Sequence, residues 1–205
     1  MHALLGNCGQ YFFVRPRRRA AIVLGCAGIL LLLPCSGRQS GLAFPVPRQA
    51  RNAGLSISSP SFPSGGEIPK KFTCSGVDVS PELSWTQPPA GTKTFALLVD
   101  DPDAPAGNWN HWAIWNLPAS ARSLPEGVGK SQRLPDGSQQ GLNDFRKIGY
   151  SGPCPPANKP HHYHFKLYAL DTKLSLNRDA GKPELEAAMK GHILAQAEWM
   201  GTFHR

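Results

Sequence analysis

The stretch Phe95-Ala96-Leu97-Leu98-Val99-Asp100-Asp101-Pro102-Asp103-Ala104-Pro105 decides the fold. A short continuous apolar run closed by acids and a proline reads as a strand buried on both faces, with a loop at its end. Pro102 and Pro105 fix their own φ angles and bias Asp101 and Ala104 toward extended conformations. The loop is therefore costly to rearrange, and it holds Asp101 and Asp103 at the mouth of the strand. Alone, such a loop is equally well a proline-rich turn with its acids in solvent.

Further runs of the same kind lie on either side. His111 to Leu117 is aromatic-rich and ends at Pro118. Tyr163 to Leu170 alternates, with Tyr163, Phe165, Leu167 and Ala169 on one face and His164, Lys166 and Tyr168 on the other. Shorter strands are predicted over 55–58, 68–72 and 83–85. Helix signals come late. Pro183 suits a first turn, Glu184 and Glu186 favour its N-terminal end, and Gly191 can close it. A second helix is predicted over 193–200, with Ile193, Ala197 and Met200 on one stripe. The predicted fold class is mainly β: a sandwich with a central, largely antiparallel sheet and short C-terminal helices packed at one end.

A chain of 205 residues fits one domain with an appendage. The net charge of +8 is unevenly spread, because residues 1–50 hold six arginines and no acid. The body is only mildly basic, which gives no argument for nucleic acid. Arg17-Arg18-Arg19 followed by the apolar stretch Ala20 to Leu33 reads as an export signal, too short for a spanning helix. Met1 to Phe13 sits oddly ahead of it, and Val14 is a candidate initiator. Gly41-Leu42-Ala43 offers a cleavage site before Phe44, giving a soluble exported form in the periplasm or outside the cell. Leu32-Leu33-Pro34-Cys35 is a poorer match to a lipoprotein box; a lipid anchor at Cys35 is the one membrane attachment considered. The expected organisation is signal and extension over 1–43, linker over 44–54 and a folded domain over 55–205.

Processing would leave two of the five cysteines, Cys74 and Cys154. An oxidising compartment permits them to pair, and two separate buried thiols are the alternative. No CxxC pair is present, and neither metal nor cofactor is expected.

Several residues in this frame can carry chemistry. His111 opens an aromatic strand beside Trp109 and Trp112. His161 and Tyr163 are two apart at a strand start and share a face, where imidazole and phenol can grip a small anion. The loop Gly149-Tyr150-Ser151-Gly152-Pro153-Cys154-Pro155-Pro156 is stiff, and its glycines let backbone approach a ligand. Read alone, it is better taken as a rigid connector. No GxSxG elbow and no HExxH helix occur, and Gly129-Lys130-Ser131 lacks the first glycine of a P-loop, where Leu124 stands. A hydrolase or metal-dependent enzyme is thus the weaker alternative to a non-catalytic binding protein.

Asp101-Pro102-Asp103-Ala104-Pro105, His111, the Gly152-Pro153 loop and His161 with Tyr163 resemble the phosphatidylethanolamine-binding protein family, in its bacterial Raf-kinase-inhibitor-like branch. Phe72-Thr73-Cys74-Ser75-Gly76 and the end from Gly191 to Arg205 resemble it too. The similarity spans about residues 55–205. It implies a β-sandwich with a small pocket for phosphate or a phosphorylated head group. Asp101, His111, His161 and Tyr163 are implied as pocket residues, with Asp103 in the same loop, Gly152 and Pro153 as rim and Tyr150 as a weaker rim candidate. It also implies a possible protein partner, a kinase or protease, met through the rim. His162 stands where many relatives have arginine, and the C-terminal helix that gates some eukaryotic relatives has no clear counterpart. Asp101 is expected to orient His161 or His111, with imidazoles binding the anion's oxygens.

Overall fold

The computed structural model describes residues 54–205 apart from Asn158 and Arg178. The predicted export signal, its cleavage and lipid-box alternatives and nearly all of the linker lie outside the described residues. Among the described residues, eight strands and one α-helix follow in order: β1 (Ile57–Ser58), β2 (Leu83–Trp85), β3 (Thr94–Asp101), β4 (Trp109–Pro118), β5 (Ser123–Leu124), β6 (Gln139–Gln140), β7 (His161–Leu170), α1 (Lys182–Met189) and β8 (Ile193–Phe203). They build two antiparallel sheets, a five-stranded one ordered β6-β4-β3-β7-β8 and a three-stranded one ordered β1-β2-β5.

β3 is central and buried along its whole length, as its uninterrupted apolar run requires. Phe95, Leu97 and Val99 point into the core between the sheets, with Ile57, Leu83, Trp85, Phe165 and Leu167. Ala96 and Leu98 point the other way, into a second cluster with Trp115, Leu170, Leu185 and Met189, where α1 covers the large sheet. Asp100 ends this second face. It is 1% exposed and meets Lys166 Nζ at 2.8 Å and Lys182 Nζ at 2.7 Å. Burial pushes its carboxyl up, but the two lysines outweigh that and hold it below the usual range.

The helix predicted from Pro183 is α1. Glu184 accepts from the Gly181 N–H at 2.9 Å and so satisfies one orphan donor of the first turn. The second predicted helix is not one: residues 193–203 form β8. Ala195, Ala197, Trp199, Gly201 and Phe203 alternate with more polar residues, and the segment pairs with β7 from His161↔Phe203 to Leu170↔Ile193. The helical stripe and the alternation share Ala197, and the open edge of β7 favours the strand. Residues 68–72 also depart from expectation. Pro69 removes a ladder donor, and Lys70–Phe72 turn as a short 3-10 helix after Ile68 bonds to the Thr202 carbonyl at 2.8 Å.

Candidate functional site

Strand alternation brings the acid loop and the histidines together. Asp101 follows Val99 by two residues and so faces the inter-sheet side, as do His161 and Tyr163 at the start of β7. His111 arrives differently. Val99 pairs with Trp112 and Asp100 with Asn110, so His111 is the extra residue of a β-bulge. Bulges re-aim side chains at sheet ends. Here the ring turns onto the Asp101 side, 5.2 Å from the Tyr163 ring and edge-on to it.

The result is a hollow of about 230 Å³ lined by Asp101, Trp109, His111, His161, Phe145 and the loop prolines on both sides. His161 Nδ1 donates to Asp101 Oδ2 at 2.8 Å, with both residues buried. Asp101 Oδ1 accepts from the Asp103 N–H at 2.9 Å, so the carboxylate also closes its own loop. His111 Nδ1 donates to the Ser151 carbonyl at 2.7 Å. A carbonyl can only accept, so the proton is on Nδ1 and Nε2 is the free position of the ring. Burial pushes the His111 pKa below its ordinary value despite the Ser151 carbonyl and the Asp101 charge, so the ring is neutral at pH 7.

Three polar atoms here are buried without a hydrogen-bond partner: His161 Nε2, the Tyr163 hydroxyl and Trp109 Nε1. Buried polar groups are normally paired, so these orphans mark a site rather than a core: two belong to residues that line the hollow, and Tyr163 packs edge-on behind the His111 ring. Burial, helped by the Asp101 charge, raises the Tyr163 phenol far above the ordinary tyrosine range, so it always carries its proton.

The remaining expected residues fall in different places. Asp103 faces outward, accepting from the His162 N–H at 2.9 Å and from His162 Nδ1 at 2.7 Å. The His162 side chain holds the Asp103 carboxyl below its usual value. His162 thus clasps the loop from outside and is not in the hollow. Tyr150 is not a rim residue. It packs edge-on against Trp112 in the core, and its hydroxyl donates to the Phe72 carbonyl at 2.8 Å. Gly152 and Pro153 stand behind the rim, which Cys154, Pro155 and Pro156 form. The Gly152 amide is committed to Asp78 Oδ1 at 2.6 Å, so it does not serve a ligand. Gly152 is glycine because a Cβ would collide with the Phe72 carbonyl oxygen. Cys74 and Cys154 form a disulfide, with Cα atoms 5.4 Å apart, that ties the rim to the turn after Phe72.

Trp109 and Phe145 are functional candidates that sequence reasoning missed. Trp109 read as bulk, yet it pairs in register with Asp101 across the sheet, and that opposition carries it to the hollow. Phe145 lies in a loop without periodicity, and only its edge-on contacts with Trp109 and His111 reveal its place.

The structure is a β-sandwich with a small, mostly apolar hollow at the strand ends of its larger sheet. The family comparison is specific: residues 58–204 match the model of the phosphatidylethanolamine-binding proteins, and the chain belongs to that family. A UPF0098 protein of Methanothermobacter thermautotrophicus is 46% identical over 151 residues, covering 74% of this chain and 99% of the relative. One from Aquifex aeolicus is 44% identical over 158 residues, 76% of this chain and 92% of its own. Among solved structures, the Escherichia coli protein YbcL, a member of the mammalian PEBP family, is 35% identical with a TM-score of 0.70 over 75% of this chain and 99% of its own. The proposed PEBP homologue CT736 of Chlamydia trachomatis is 41% identical, with a TM-score of 0.68 over 74% of this chain and 98% of its own.

Proposed function

We propose that this protein is an exported, non-catalytic binding protein whose hollow takes a small anion, phosphate or a phosphorylated head group. The observation that carries this reading is the cluster of three unpartnered buried polar atoms around His111 and the Asp101–His161 pair. An anion that loses water on entry needs such groups in return. Family membership fits a binding protein. The Cys74–Cys154 disulfide supports export, because such bonds persist in oxidising compartments.

The test is isothermal titration of inorganic phosphate and phosphoethanolamine into the host-processed protein and into H161A. The wild type binds and H161A loses at least ~10-fold in affinity. Equal affinity in the two proteins overturns the site. Ester turnover that disappears in H161A would instead make the protein an enzyme. Mass spectrometry of the processed chain tests export. A start at or near Phe44 is expected, and an acylated Cys35 overturns the soluble form.

A further inference from the structure

The charge inside the hollow is unusual for an anion site. Among the described residues, no lysine or arginine lines it. Arg205 donates through Nε to the Pro155 carbonyl but is not a lining residue. Most of the wall is apolar: Ala104, Pro105, Ala106, Phe145, Pro155 and Pro156. The fixed charge that does line it is the Asp101 carboxylate, 3% exposed.

His111 adds little positive charge of its own. His111 has its proton on Nδ1, held by Ser151, so its neutral ring offers a lone pair at Nε2. His161 likewise gives its Nδ1 proton to Asp101, which leaves Nε2 free. The titratable groups facing His111 are Asp101 from β3, His161 and Tyr163 from β7, and Asp144 from the loop before Phe145. The two acids favour charging of the ring, but burial prevails against them. A fully ionised oxyanion therefore meets the Asp101 carboxylate and the His111 lone pair, with an N–H donor at Trp109 and an O–H donor at Tyr163 behind the His111 ring. Among the described residues, no lysine or arginine of the lining offsets its charge.

We infer that the hollow takes up an oxyanion together with one proton, shared between a ligand oxygen and His111 Nε2, so that its ligands are phosphate and phosphomonoesters rather than phosphodiesters or sulfate. A P–OH group donates to Nε2 while the ionised oxygens accept from Trp109 Nε1 and the Tyr163 hydroxyl. Burial disfavours a charged His111 ring, so the shared proton stays on the ligand oxygen and one proton enters with each ligand. A phosphodiester, the form found in an intact phospholipid, has no such proton to bring. Neither does sulfate near neutral pH. This rests on the phosphate reading above and narrows it.

The experiment titrates four small probes into the host-processed, disulfide-bonded protein: inorganic phosphate, methyl phosphate, dimethyl phosphate and sulfate. Each is measured between pH 5 and 8 in two buffers of different ionisation enthalpy. Methyl phosphate stands for soluble monoesters and dimethyl phosphate for the diester of a lipid head group. For methyl phosphate, proton uptake approaches one above its second pKa of ~6, and affinity falls ~10-fold per pH unit there. Dimethyl phosphate and sulfate bind ~10- to ~100-fold more weakly, the cost of a buried acceptor left unpaired. H111L moves the ratio of methyl phosphate to sulfate toward one, and the wild-type comparison decides the matter if that variant does not fold. Sulfate or dimethyl phosphate binding as tightly as methyl phosphate, or methyl phosphate binding without proton uptake well above its second pKa of ~6, overturns the inference alone. No binding of either phosphate probe at any pH overturns the phosphate reading with it.

Discussion

Tyr163 and His161 separate binding from stability at the level of single residues. The Tyr163 hydroxyl is buried and unpartnered, so removing it costs folding nothing. Y163F should unfold within about 0.5 kcal/mol of the wild type, or above it, while phosphate affinity falls; denaturant melts beside titrations check both. H161A leaves the Asp101 carboxylate buried without its donor and should lose about 1–3 kcal/mol in the same melts. His111 sets a pH dependence of stability. Its folded pKa lies below the ordinary 6.5, so the unfolded chain binds the proton more readily. Its contribution is complete above pH ~6.5, declines as pH falls below that value, and is gone once pH passes the depressed folded pKa. H111Q should flatten this part of a stability–pH curve, and an unchanged slope would contradict the assignment. Asp101, His111 and His161 were legible as types at spaced positions because each ends or begins a strong strand signal. The tautomers were not, because they depend on the Ser151 carbonyl, whose position only the folded loop defines.

Single elements show where local pattern and tertiary pairing diverge. β3 and β7 were readable because a continuous run and a strict alternation each have one solution in a layered fold. β8 was not, since its apolar residues fit period 3.6 and period 2 alike, and the decision came from the free edge of β7. The bulge at His111 was hidden for a similar reason. A bulge is a mismatch between two strands and leaves no mark in one of them. The rim loop obeys a packing constraint that its sequence only hinted at. G152A drives a methyl into the Phe72 carbonyl and should cost about 1–3 kcal/mol, lowering Tm by about 2–12 °C. The same change should weaken phosphate binding by moving Cys154 and Pro155, and a scanning melt with a titration measures both effects.

At the scale of the whole molecule, the disulfide is the one covalent link between distant segments among the described residues, closing a loop with a sequence separation of 80. Chain entropy alone gives such a loop about 4.5 kcal/mol. The C74S/C154S variant should therefore unfold at clearly lower denaturant concentration, and its rim should become accessible to protease near Pro155. A melt unchanged by reduction would show that the sheets hold the rim unaided. Asp100 and Asp101 carry a last consequence. Consecutive strand residues point to opposite sides, so the lysine clamp under α1 and the carboxylate that orients His161 hang on one peptide unit. A substitution at Lys182, on the far side of the sheet, would shift that hinge. The aim of the imidazole is in this way mechanically tied to how firmly the helix sits.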